Sequence, residues 1–194
     1  TGSLDGVLDF YVLTDGPVQS GIWPRVSYHE WDHEGAVLRA KVARMTLATF
    51  EAAAAGQLVD TTIWARFVQP SRLVWARNDG DAFAIRDAVT QAARTAARLA
   101  VALGPVSGTA DAYWRALFRA TYAAEFRVER AGREDSILSL NQAHFDGLLP
   151  LALEAEGIAF MREGDGVLRP ALSPTRRRAL LRWWTRRRRL GKPY

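Results

Sequence analysis

The sequence predicts an α+β protein with a strand-rich opening, a helical middle and an intensely basic tail. Three observations carry that prediction. Residues 7–42 form β-branched and aromatic runs cut by turn residues. Residues 79–103 form one long Ala/Arg stretch with helical spacing. Two short apolar runs then flank the turn Glu163-Gly164-Asp165-Gly166, as a β-hairpin requires. With 194 residues, 48% of them hydrophobic and 24% charged, the chain can bury one ordinary core or two small ones.

Taken in order, Val7-Leu8-Asp9-Phe10-Tyr11-Val12-Leu13 is almost continuously apolar and is stopped by Asp15-Gly16-Pro17, so it reads as a buried central strand carrying one acid. Residues 26–31 and 36–42 read as two further strands joined by a polar turn at Asp32 to Gly35. Thr46 to Ala55 is Ala-rich and helical, and Gly56 ends it. Asp60 or Thr61 can cap a short helix through Arg66, after which Ser71-Arg72-Leu73-Val74-Trp75 is strand-like. Gly104-Pro105 closes the long helix, and Thr109 caps another running through Tyr122. Residues 136–156 read as one more helix, and residues 157–169 as the hairpin. This organisation gives three parts: 1–78, an α/β part whose start is expected to be missing; 79–172, a helical, winged-helix-like part; and 173–194, a basic helix.

Composition excludes several chemistries. Without cysteine there is no disulfide framework, thiolate metal site or thiol nucleophile. No run of about 18 apolar residues is present, so any membrane contact is expected to be peripheral. The net charge of +5 is unevenly placed. From Ser173 onward there are eight Arg and one Lys with no acid, which leaves 17 bases against 21 acids in residues 1–172, a net of −4. Such asymmetry points to a polyanionic surface, lipid or nucleic acid, met by the tail.

Asp9 inside an apolar run needs a partner, because burying an unpaired carboxylate costs several kcal/mol, roughly. It is either a strand-end acid facing solvent or an arginine, or a ligand for Mg²⁺ in metal-assisted nucleotidyl transfer. His29 reads as a hydrogen-bonded structural residue, and Arg94 with Arg98 as a solvated helical face.

Four blocks in order resemble the translocator-maintenance type of CDP-diacylglycerol synthase. Leu8-Asp9-Phe10 with Asp15-Gly16-Pro17 resembles that family's "LDF…VDDP" block, and Val26-Ser27-Tyr28-His29 followed by residues 35–42 resembles its tyrosine-bearing and "NG…IKYGV" strands. Ala65-Arg66-Phe67-Val68-Gln69-Pro70 resembles "AGRLQKP", and residues 121–127 resemble "SYSGDFRM". The resemblance implies a nucleotidyltransferase-like mixed sheet followed by a winged-helix-like domain. The implied reaction transfers CMP from CTP to phosphatidic acid with Mg²⁺, giving CDP-diacylglycerol and pyrophosphate. Asp9 and Lys41 would be catalytic, with Asp9 and Glu30 as metal acids and Arg39, Arg66, Tyr122 and Arg127 as substrate-binding residues. Val7 stands where such folds carry a second acid, which makes a non-catalytic membrane scaffold the alternative; a winged-helix nucleic-acid-binding protein is the other.

Ser173-Pro174 supplies an N-cap and a first-turn proline for the tail helix. Leu180, Trp183, Trp184 and Leu190 fall on one arc, with Arg178, Arg182, Arg186 and Arg189 opposite. This pattern predicts an interfacial helix bound to an anionic membrane through Arg178, Leu180, Leu181, Arg182, Trp183 and Trp184. Its removal is expected to leave the fold intact, and nucleic acid is not the expected partner. A peripheral position on the cytoplasmic face of a bacterial inner membrane is expected, or on the mitochondrial inner membrane in a eukaryote.

Overall fold

The computed structural model describes residues 6–59, 62–124 and 133–190. It is a mixed α+β structure that divides into two compact units, Thr1–Ala52 and Ala53–Tyr194. The division falls inside the first helix rather than near residue 78, where the composition changes.

In the first unit β1 (Val7–Thr14), β2 (Arg25–His33) and β3 (Ala36–Thr46) form one sheet in the order β1-β3-β2. Glu34 and Gly35 both have positive φ, 50° and 79°. Two such residues in succession make the turn whose twist suits a two-residue hairpin, so β2 lies antiparallel beside β3. β1 runs parallel to β3 along its other edge. The expected central position of β1 is therefore wrong: β3 is central, and Val7, Leu8, Phe10 and Val12 are exposed on an edge strand. A continuous apolar run signals a strand, but which neighbours it acquires depends on chain connections.

Thr46 ends β3 and caps α1 (Leu47–Ala54), its hydroxyl accepting from the Thr49 amide at 3.2 Å. The same hydroxyl donates to Pro17 O at 2.9 Å, while Gln19 receives the Thr46 amide on its side chain at 3.0 Å. These bonds tie the Pro17–Gln19 loop to the end of the central strand.

The second unit is built on α3 (Asp79–Leu103), whose N-terminus Asn78 caps by accepting from the Asp81 amide at 2.9 Å. Ala88, Ala92, Ala93, Ala96, Ala97 and Ala100 are buried along it, and their small side chains let neighbours approach closely. α2 (Thr62–Phe67), α4 (Ala110–Ala124), α6 (Gln142–Ala155) and α7 (Pro174–Leu190) all pack on α3, and α5 (Arg133–Leu140) packs on α4. Trp64, Tyr113, Trp114, Leu117, Phe118, Phe145, Leu149 and Leu153 fill the core. The Trp114 indole N–H donates to Phe145 O at 3.0 Å, so its one polar atom is satisfied inside that core.

The expected helix over 136–156 is two helices broken at Asn141, whose side-chain amide donates to Ile137 O at 3.1 Å and closes the first. β4 (Gly108–Thr109), β5 (Phe160–Arg162) and β6 (Val167–Pro170) make a small antiparallel sheet in the order β4-β6-β5. Residues 71–75 form no strand, and among the described residues no strand pairs with them.

Candidate functional site

Parallel pairing of β1 with β3 sets Asp9 beside Lys41, and antiparallel pairing of β2 sets Tyr28 on the other side of the same lysine. Arg39, two residues before Lys41, points to the same face and pairs with Val7 and Glu30. One sheet face thus carries Asp9, Lys41, Arg39, Glu30 and Tyr28 in two adjacent rows. Asp9, Arg39, Glu30 and Tyr28 are exposed and Lys41 is half-buried. Arg39 Nε donates to Glu30 Oε1 at 2.7 Å.

Asp9 and Glu30 stand on opposite flanks of β3 on that face. Adjacent strands are about 4.8 Å apart, so their backbones are separated by roughly 10 Å, a span the two side chains must bridge to share an ion. Octahedral Mg²⁺ holds its oxygens at about 2.1 Å. Between the two acids stand Lys41 and Arg39, the latter already engaging Glu30. Among the described residues no three His, Asp or Glu side chains come together as a metal group. On that face Asp9 lies beside Lys41, with Arg39 two residues along β3. A site of that composition suits an anionic phosphate chain, with Mg²⁺ accommodated only if the phosphates and water supply most of its oxygens.

On the opposite face of β2, Ser27 Oγ and His29 Nε2 lie 2.9 Å apart, which gives His29 the hydrogen bond expected for it. Arg66 and Tyr122 belong to the second unit. Arg66 sits in the last turn of α2 and is half-buried, and Tyr122 stacks on Phe118 with ring centroids 6.1 Å apart. Tyr122 is thereby part of an aromatic cluster with Phe118 and Phe145. Arg127 lies outside the described residues.

The tail is a helix capped by Ser173, as expected, with the Arg176 amide donating to Ser173 Oγ at 3.2 Å. Among the described side chains its two faces follow the expected pattern, but the apolar one turns inward. Trp184 is buried, Leu180, Leu181 and Trp183 are half-buried, and both indoles pack against Trp64 with centroids 6.1 and 6.2 Å away. Those side chains are committed to the fold, which corrects their assignment to a bilayer. Arg178, Arg182 and Arg186 do face solvent, four residues apart.

Two further arginines of the tail, Arg177 and Arg187, anchor the helix. Arg177 donates to Val101 O at 3.0 Å and Gly104 O at 3.2 Å, closing the carboxyl end of α3, whose own last turn has no base. Arg187 donates to Gly56 O and Leu58 O and lies over Trp183. Burial pushes the Arg187 guanidinium below its ordinary range, and the charge of Arg98 adds to the effect.

Arg94 and Arg98 are not the solvated face that their spacing suggests. Both reach Glu156 at the end of α6, at 2.9 and 3.9 Å, and Arg176 approaches the same carboxylate at 3.9 Å. Burial lowers the Arg98 pKa, Glu156 opposes that, and Arg94 and Arg176 reinforce it. Sequence offered no signal for this cluster, since Glu156 lies more than fifty residues beyond Arg98.

A scan against protein-family models finds no match, and a search of the curated proteins finds none either.

Proposed function

We propose that the chain is a nucleotidyltransferase of the CDP-diacylglycerol synthase type, transferring CMP from CTP to phosphatidic acid at a membrane surface and releasing pyrophosphate. The observation that supports it best is the pairing of Asp9 with Lys41 on β1 and β3, with Arg39 on the same face. Lys41 and Arg39 offer an ammonium and a guanidinium to the triphosphate, the first as a point charge and the second as a fork. In the reaction a phosphate oxygen of the lipid bonds to the α-phosphorus of CTP while the bond to the bridging β-phosphate oxygen breaks. Lys41 and Arg39 would hold the departing pyrophosphate, whose charge grows as that bond breaks.

Asp9 is the carboxylate we assign to Mg²⁺, beside Lys41 on the adjacent strand, while Glu30 engages Arg39. When bound, the ion would neutralise phosphate charge. The four sequence blocks support the choice of reaction, and the nucleotidyltransferase-like and winged-helix-like identities of the two units belong to the same proposal. Membrane contact is assigned to the outward stripe Arg178, Arg182 and Arg186, each base adding about 1 kcal/mol of attraction near an anionic leaflet. Among the described residues no helix is long and apolar enough to cross a membrane.

The test is pyrophosphate release from each of the four ribonucleoside triphosphates, with Mg²⁺ and phosphatidate-containing vesicles, for wild type and Asp9→Asn. Release with CTP that needs the lipid and disappears in the variant is the expected result. Wild-type protein releasing none from any nucleotide would favour the non-catalytic scaffold.

A further inference from the structure

Glu156 closes α6, and its side chain is only 8% exposed. Arg94 and Arg98 reach it from α3, one helical turn apart, and Arg176 from the first turn of α7. Arg94 Nε donates to Glu156 Oε1 at 2.9 Å. The heads of Arg98 and Arg176 stand 3.9 Å from Oε2, beyond hydrogen-bond distance. Three guanidiniums thus share one carboxylate, an excess of two positive charges around it.

Among the described residues no other acid pairs with these arginines; Glu154, at the same end of α6, bonds to none of them. The first turn of α7 contains no acid either, so Arg176 sits at a helix amino end, where an anion is favoured. Arg187 adds a further cation across Trp183, whose ring centroid is 4.2 Å from it and 5.7 Å from Arg98.

Donors remain open as well. Arg94 bonds through Nε, and its two terminal nitrogens have no acceptor among the described residues. Arg176 uses one terminal nitrogen, on Glu156 O at 3.2 Å. Their side chains are 37% and 43% exposed, against 24% for Arg98, so these two heads are the ones that meet solvent.

We propose that Arg94 and Arg176, seated on Arg98 and Glu156, form a binding site for a phosphate dianion, free or carried as a monoester. A dianion matches the excess of two charges. Its several oxygens can accept from both guanidinium forks together, which a halide ion cannot do. Glu156 holds the heads close against their mutual repulsion, so they are already positioned when the anion arrives. The inference goes beyond the proposed reaction, since none of these residues lies in the first unit, where the triphosphate is assigned. A soluble phosphate and the headgroup of phosphatidate offer the same chemistry, and the experiment separates them.

Isothermal titration calorimetry of the full chain with inorganic phosphate, at an ionic strength held constant with chloride, tests the site. Wild type is expected to bind phosphate. Arg94→Gln with Arg176→Gln should weaken that binding at least about tenfold, the worth of one charged hydrogen bond, while still unfolding cooperatively. Should the pair of changes prevent folding, Arg176→Gln alone, at the most exposed of the three arginines, is expected to weaken binding in the same direction. Arg72→Gln with Arg86→Gln removes the same two charges from exposed positions elsewhere and should bind like wild type. Phosphate should also raise the melting temperature of wild type but not of the Arg94/Arg176 variant. Wild type that takes up no phosphate above the chloride background refutes the site. Equal weakening in both double variants reduces the effect to net charge and refutes it too. Binding that persists in the Arg94/Arg176 variant and is lost in Lys41→Met belongs to the first unit and overturns the assignment. Displacement of phosphate from wild type by phosphatidate in phosphatidylcholine vesicles supports the site as one for a lipid headgroup; displacement by glycerol 3-phosphate and not by the vesicles supports it as one for soluble esters.

Discussion

The guanidinium carbon of Arg187 lies 4.2 Å from the centroid of the Trp183 ring, and the same side chain donates to the carbonyl oxygens of Gly56 and Leu58. Arg98 lies 5.7 Å from the same centroid, so two cations flank one indole. Trp183 and Trp184 together cover Trp64. Among the described residues the basic tail is therefore a structural helix that presents Arg178, Arg182 and Arg186 outward.

Truncation should be far from silent. Removing residues 174–190 uncovers Trp64 and leaves the carboxyl end of α3 uncapped, so the shortened chain should lose its cooperative thermal transition. The milder Trp184→Ala change should cost about 3–5 kcal/mol in chemical denaturation, the range for a deleted core aromatic. A truncated chain that melts like wild type would refute the packing role of α7.

Gly56 should tolerate no side chain. Its φ is +70°, and a Cβ there would stand 2.8 Å from Trp183 Cζ2 and 3.1 Å from Thr95 Cγ2. Strain at positive φ alone costs about 1–2 kcal/mol, and displacement of a packed indole adds to it. Gly56→Ala should lower the melting temperature, whereas Ala at Gly157, with φ +62° and no neighbour within 4 Å, should lower it less.

Glu156 is the shared anion of three arginines and its side chain is only 8% exposed. Glu156→Ala should destabilise by about 3–5 kcal/mol, as when one partner of a buried ion pair is removed. Denaturant unfolding of Glu156→Ala beside Arg94→Ala checks the assignment, since the more exposed Arg94 should cost much less.

The hairpin should loosen in acid. Hydrogen bonds from Arg169 and Ser107 hold the Glu163 carboxyl below its ordinary value of 4.5. A carboxyl depressed in the folded state contributes stability above its unfolded value and loses it as pH falls through the folded one. Amide exchange in β5 and β6 should therefore quicken below about pH 4.5 in wild type and show no such step in Glu163→Gln.

Within the proposed reaction, Lys41→Met should raise the KM for CTP about 10-fold to 100-fold, the worth of one charged hydrogen bond. Glu30→Gln should change it little, because Glu30 serves Arg39. A Glu30 variant as impaired as Asp9→Asn would restore the two-carboxylate metal site that the β-sheet register argues against.

The strands and helices of the first unit, the span of α3 and the capped start of α7 were legible because each is written in local periodicity, caps and turn residues. The Asp9, Lys41 and Arg39 grouping was legible only as separate candidates. Register joined them, and register also divided Asp9 from Glu30. The Glu156 cluster was not legible, because ion pairs between residues 20 to 62 positions apart leave no spacing to read.

By itself the sequence determined the α+β class, most element boundaries and the two faces of the tail helix, since these follow from side-chain periodicity and backbone preference. Tertiary structure alone decided that β1 is an edge strand, that residues 71–75 stay unpaired, and that Trp183 and Trp184 face the core. The physical reason is shared by all three. Periodicity says that an apolar face must be covered, but whether protein, lipid or water meets it depends on which distant segment packs there.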